Sequence, residues 1–273
     1  MSSDDAKRDG RAPDESEPPD PKREESDDDV AQLIGRLGRL LDPGRDVLRT
    51  VQGGLVPAWR RATRGESRLA VTIAVAAAIV MQLLLPARVA SHPRWVFPIL
   101  SALLLIGIVV TNPSRIDRHS RPLRLASLLL IIIISGGNAA SAARLVIDLV
   151  RGEGIKDPAA LLLTGAAIWL TNVIVFGLWY WEFDRGGPVS RAHAHREYPD
   201  FLFPQMSSPD VAPSEWEPAF VDYLYLSFTN ATAFSPTDVM PLSRWAKLTM
   251  LMQSAVSLIT VALVIARAVN ILK

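Results

Sequence analysis

The sequence predicts an all-α integral membrane protein with about five transmembrane helices and a re-entrant helix before the last span. Three observations lead there: long apolar runs closed by proline or polar loops, arginines gathered on alternate loops, and a short amphipathic segment with a turn ahead of the final run.

Each run has its own ends. The first is 69–85, closed by Pro86, and the second is 95–110, closed by Asn112-Pro113. The third extends from 123 to about 150 and the fourth covers 159–181. The fifth is about 248–266. A span needs roughly 20 residues to cross a core about 30 Å thick. The first two runs are slightly short for that and suit a tight hairpin. The third is too long to stand upright, so a tilt or a kink near Ser135-Gly136-Gly137-Asn138 is expected.

The front of the chain is different in kind. Residues 1–29 carry twelve Asp/Glu against five Lys/Arg, leaving sixteen against twenty-four in the remainder. With almost no large apolar residue, this acidic tail cannot offset the entropy of ordering and is expected to be disordered. Residues 30–67 read as an amphipathic basic juxtamembrane segment. Leu33, Ile34, Leu37, Leu40 and Leu41 recur at helical spacing beside Arg36 and Arg39, a pattern suited to an anionic leaflet. The further divisions are a four-helix membrane region over 68–182, a polar loop over 183–213, and the re-entrant helix with the last span over 214–273.

Loop charges set the orientation. Residues 33–68 hold eight arginines, and the loop after the second run holds Arg115, Arg118, Arg121 and Arg124. Two basic residues occupy each intervening loop, Arg88 with Arg94 and Arg151 with Lys156. This places the N-terminus in the cytosol and the chain, multi-pass, in an inner (plasma) membrane. Trp95 and Trp179-Tyr180-Trp181 fall at run ends, where amphipathic rings favour the interface.

With no cysteine, disulfide and thiol chemistry are excluded. No phosphate-binding glycine loop, nucleophile elbow or zinc-protease helix is present, so neither an enzyme nor a cofactor is expected. The arginines track membrane loops, which leaves the lipid bilayer rather than nucleic acid as the partner. His193 and His195, near Asp184, Glu197 and Asp200, lack a clear third ligand, and no metal is assigned to them.

The informative segment lies between the last two runs. Ser214 and Glu217 have the form of a capping box, and Phe220, Val221, Leu224, Tyr225 and Phe228 continue as an amphipathic helix to about Phe234, before Pro236. Over 227–241, Ser227, Ala231, Thr232, Asp238 and Pro241, followed by a Trp–basic pair and a long helix, resemble a potassium-channel pore loop. The stretch Asp222-Tyr223-Leu224-Tyr225-Leu226-Ser227-Phe228-Thr229, with Thr237-Asp238-Val239 and Ser243-Arg244, is similar to a family of bacterial five-span membrane proteins, a domain of unknown function. That second resemblance also accounts for the upstream helices.

The channel likeness implies a tetramer around a shared axis, yet the filter is degenerate. Such filters use a Thr-Val-Gly-Tyr-Gly backbone, whereas Ala233-Phe234-Ser235-Pro236-Thr237 stands here with φ of Pro236 fixed near −65°. The loop would also enter from the cytosolic side. Candidate transport residues are Thr229, Asn230, Thr232, Ser235, Pro236, Thr237 and Asp238. Gln253, Ser257 and Thr260 join them as a polar stripe on the last helix, sharing one face with Arg267, with packing as the competing role and snorkelling as that of Arg267. Two functions follow: a channel-like ion transport protein without potassium selectivity, or a non-conducting scaffold that binds partners through its tail. Asn138 is expected to bond between helices, Arg144 to pair with Asp148, and Asn172 to reach the loop.

Overall fold

The computed structural model describes residues 57–90, 93–111, 120–208, 210–232 and 238–272. The acidic tail, the amphipathic stretch before residue 57, Arg115, Arg118, and the loop residues Ser235, Pro236 and Thr237 lie outside the described residues.

The described chain is mostly helical. The helices are α1 (Leu69–Leu84), α2 (Val96–Thr111), α3 (Arg121–Val150), α4 (Pro158–Phe183), α5 (Pro188–Ala192), α6 (Pro204–Ser207), α7 (Phe220–Thr232) and α8 (Arg244–Leu272). Two short strands, β1 (Phe201–Leu202) and β2 (Met240–Pro241), pair antiparallel with Phe201 opposite Pro241. Among the described residues, three helices are long and apolar enough to cross a membrane: Arg121–Val150, Pro158–Gly186 and Arg244–Ile271. The shorter apolar helices α1 and α2 have 16 residues each, about 24 Å at 1.5 Å per residue.

Local chemistry explains the helix ends. Pro86 stops α1 after the extended Leu85. Asp157 caps α4 by accepting the Ala160 N–H at 2.8 Å, with Pro158 in the first turn where its missing donor costs nothing. Helix α3 is helical without interruption through Ser135-Gly136-Gly137-Asn138. Helix α7 begins at Phe220, six residues beyond Ser214, so the expected capping box does not open it. Pro218 biases Glu217 away from helical backbone, and Asp222 accepts the Ala219 N–H at 2.8 Å instead.

Helix α4 is the hub, packed against α1, α3, α7 and α8. Close approach depends on two glycines. A Cβ on Gly177 would meet the Leu224 backbone at 3.2 Å, and one on Gly165 would meet Val264 at 2.9 Å. Small residues at such crossings let helices approach where lipid offers no hydrophobic drive. The main core gathers Ile134, Val175, Leu178, Tyr180, Phe201, Phe220, Tyr223 and Leu226, while a second one holds Leu145, Leu161, Ile168 and Val264. Outer faces carry exposed Ile73, Leu103, Ile132 and Leu258, as expected of surfaces solvated by lipid.

The two ends of the bundle differ. One gathers the start of α1, the start of α3, the end of α4 and the polar segments after it, and the start of α8. There the stretch 57–67 is strapped to the loop beyond α4: Ala58 N–H donates to Ser214 O at 3.1 Å and Thr63 N–H to Ala192 O at 2.8 Å. At the other end Arg88 bridges Asp148 (3.1 Å) and Glu153 (3.3 Å). The expected Arg144–Asp148 pair is thus replaced, because Arg88 of the α1–α2 loop reaches that carboxylate and Arg144 donates to the Ala90 carbonyl.

Candidate functional site: a buried polar seam

The polar stripe of α8 is turned inward. Its buried positions are Ala246, Met250, Gln253, Ser257, Thr260, Val264 and Ala268, at steps of three and four that define one helix face. Gln253 is 0% exposed, Ser257 1% and Thr260 3%. Opposite them, Leu248, Leu251, Met252, Leu258, Ile259 and Ile265 point outward.

Gln253 is the centre of a hydrogen-bonded knot between three helices. Its Oε1 accepts from the Tyr180 hydroxyl at 2.6 Å and from Asn230 Nδ2 at 2.8 Å. Its Nε2 donates to Ser227 O at 2.9 Å and Ser227 Oγ at 2.7 Å. Ser227 Oγ passes the chain on to the Val173 carbonyl at 2.6 Å, and Asn230 Nδ2 also reaches Met250 O at 3.0 Å. Every polar atom of the Gln253 amide is engaged, as an amide in a low-dielectric interior requires.

The other expected residues divide. Thr229 donates to Tyr225 O and Leu226 O within α7, and Thr232 to Thr229 O at 2.7 Å. Thr260 likewise donates to Val256 O at 2.8 Å. Asp238 is exposed. Asn172 Nδ2 donates to Ser257 Oγ at 3.1 Å and ties α4 to α8; the loop it was expected to reach lies outside the described residues. Asn138 is buried, but its Oδ1 makes no hydrogen bond, so that atom contributes no interhelical link. It faces a lateral crevice of about 670 Å³ lined by Ser135, Phe176, Trp179 and Val256, among others.

A second, charged layer closes the bundle end, and its centre has little signature in the sequence. Asp184 and Tyr223 are both 0% exposed, and Asp184 also accepts the Asp200 N–H at 2.8 Å. Arg191 donates to Trp181 O at 2.6 Å and Asp184 O at 3.0 Å, and its guanidinium lies 5.0 Å from the Tyr223 ring centroid. Arg185, held at a positive φ of 53°, donates to Arg196 O and Trp59 O. Glu66 accepts from Trp181 Nε1 at 2.7 Å and from the Phe220 N–H at 2.5 Å. Burial pushes the Glu66 carboxyl up from its ordinary value, and these two donors and Arg191 only partly offset it. The available signal was the run Glu182, Asp184, Arg185 at the mouth of an apolar helix, since charges there demand partners.

The aromatic cluster at the end of α4 is also turned to protein. Trp179 donates to Ser135 Oγ at 3.0 Å, Tyr180 to Gln253 and Trp181 to Glu66. His193 and His195 stack with centroids 5.5 Å apart. Asp184 and Asp200 are taken up by the layer just described, and no group of three metal-ligating side chains stands together among the described residues.

No protein-family model matches the chain, nor does any curated protein or solved structure. The resemblances noted in the sequence therefore rest on the residues quoted for them.

Proposed function

We propose that the chain is a non-conducting, multi-pass membrane scaffold or accessory protein, acting by binding and without a cofactor. One observation carries this reading. The stripe Gln253, Ser257 and Thr260 is buried against α4 and α7, while the outward face of α8 is apolar from Leu248 to Ile265. Chains assembled around a common axis would turn an apolar surface toward it, which does not suit the passage of ions.

The membrane plan has five spans in an inner membrane, with α1 and α2 as a short hairpin and the N-terminus cytosolic. Arg60, Arg61, Arg64, Arg68, Arg121, Arg124 and Arg191 gather at one end of the bundle, in line with the positive-inside rule. Helix α7 is re-entrant in this reading. Phe220 sits by Glu66 and Trp181, Asn230 reaches Met250 deeper along α8, and Met240 returns to pair with Leu202 at the starting end. Thirteen residues give α7 about 20 Å, short of a full crossing.

The channel-like reading keeps one supporting observation: an exposed Asp238 follows α7 and precedes a long helix. Flux separates the two. Liposomes carrying the purified chain should hold potassium and chloride gradients as well as empty liposomes do. A flux abolished by Asp238→Asn, together with a stable tetramer in mild detergent, would overturn the scaffold reading. Single cysteines introduced into this cysteine-free chain test the topology: Arg196→Cys and Asp238→Cys should label from the same side, and Glu153→Cys from the other.

A further inference from the structure

A cavity of about 210 Å³ opens where α1 and α3 begin and α4 ends, lined by Arg68, Arg121, Arg124, Ser127, Glu182 and Ser190, among others. We propose that it is a seat for a phosphate-bearing anion, supplied either by a phospholipid headgroup or by a soluble phosphate. The inference does not depend on whether the chain conducts.

Three features converge. Arg68 is only 8% exposed, yet its Nε makes no hydrogen bond. A buried guanidinium N–H left in that state carries a desolvation cost which an anionic acceptor would remove. Arg124 comes no closer than 3.9 Å to Glu182, well beyond the ~2.7–2.9 Å of a charge-assisted bond. Its planar fork is therefore open to a better acceptor.

The helix termini point the same way. Helix α3 spans 30 residues and has no acidic residue in its first turn, which instead carries Arg121 and Arg124. Its N-cap, Ser120, makes no side-chain capping bond. Arg68 is itself the N-cap of α1, again without a capping bond or an acidic first turn. Cations at the positive end of a helix are unfavourable, and unsatisfied amides there attract oxyanions. Three arginines at two helix starts, against the single carboxylate of Glu182, leave an excess of positive charge around a cavity of oxyanion size. Tetrahedral phosphate matches this donor set because its several oxygens accept from more than one guanidinium at once.

The test uses the full chain in mild detergent and two probes. In one arm, thermal unfolding is followed against inorganic phosphate, with chloride at equal ionic strength as reference. In the other, the chain is taken from vesicles of phosphatidylcholine with added phosphatidic acid, and retained lipid is identified by native mass spectrometry. Phosphate should raise the midpoint of the unmodified chain, or phosphatidic acid should be retained over phosphatidylcholine. Arg68→Gln should weaken the effect about tenfold or more, the size expected for one charge-assisted bond. Because Arg68 is buried, the exposed Arg121→Gln serves as a second variant and should weaken it in the same direction. Arg94→Gln, at the opposite end, should leave it unchanged. A response in the lipid arm alone assigns the headgroup as the source, and a response to inorganic phosphate alone assigns the soluble anion. No response in either arm, or equal responses from Arg68→Gln, Arg121→Gln and Arg94→Gln, overturns the proposal.

Discussion

Tyr223 donates its hydroxyl hydrogen to Asp184 Oδ2 at 2.5 Å, and neither side chain reaches solvent. The bond joins the start of α7 to the turn after α4, with Arg191 over the tyrosine ring. It fixes the end of α7 at which the chain enters the bundle. Tyr223→Phe keeps the ring and removes the donor, leaving one carboxylate oxygen short of a partner. A loss of about 1–3 kcal/mol is expected, read as a lower unfolding midpoint in detergent. Asp184→Ala should cost more, because it also orphans the Asp200 and Phe201 N–H groups.

Gln253→Leu tests the knot at the middle of the seam. It fills the space but strands Tyr180, Asn230 and Ser227, which all bond to that amide. Stability should fall by about 1–3 kcal/mol, toward the low end because groups in a membrane find other partners. Ion leak through reconstituted liposomes should not change. A leak created or abolished by this substitution would show that the seam meets water.

The apolar runs were legible because lipid solvation demands long uninterrupted stretches, and α3, α4 and α8 answer to them. The inward stripe of α8 was legible too, as Gln253, Ser257 and Thr260 at steps of four and three. Its depth was not, since periodicity gives a face but not its neighbour. Ser214 and Glu217 misled because local capping chemistry competes with the backbone bias before Pro218. The Tyr223–Asp184 and Glu66–Trp181 bonds join residues 39 and 115 positions apart. Contacts of that range leave no local pattern. The cavity at Arg68 was hidden for the same reason, because its arginines read simply as loop charges.

Glu66 gives a pH dependence of known sign. Its carboxyl is raised in the folded protein by burial, so the folded state holds the proton more tightly than the unfolded chain does. The stabilisation is complete below the ordinary value of 4.5 and is lost as pH rises through the raised one. The unfolding midpoint should therefore carry a component that falls from acid toward neutral pH. Glu66→Gln should remove that component while keeping one acceptor for Phe220 N–H or Trp181 Nε1. If the difference between the two proteins is the same at every pH, Glu66 is not the titrating group.

The contact of Gly165 with Val264 gives a prediction that separates packing from propensity. Alanine favours a helix over glycine by up to about 1 kcal/mol, so Gly165→Ala would stabilise α4 if nothing stood in the way. Here the added methyl would lie 2.9 Å from both Val264 methyl carbons, too close for a β-branched side chain with one favoured rotamer to yield. Gly165→Ala should therefore lower the midpoint, at a cost of about 1–3 kcal/mol for overpacking. Val264→Ala alone should also lower it, by opening a void in the second core. Combined, the two should recover most of the loss, giving a favourable coupling in a double-mutant cycle. Additive losses would mean that α4 and α8 do not meet at this point, and the inward stripe of α8 would then face something other than α4.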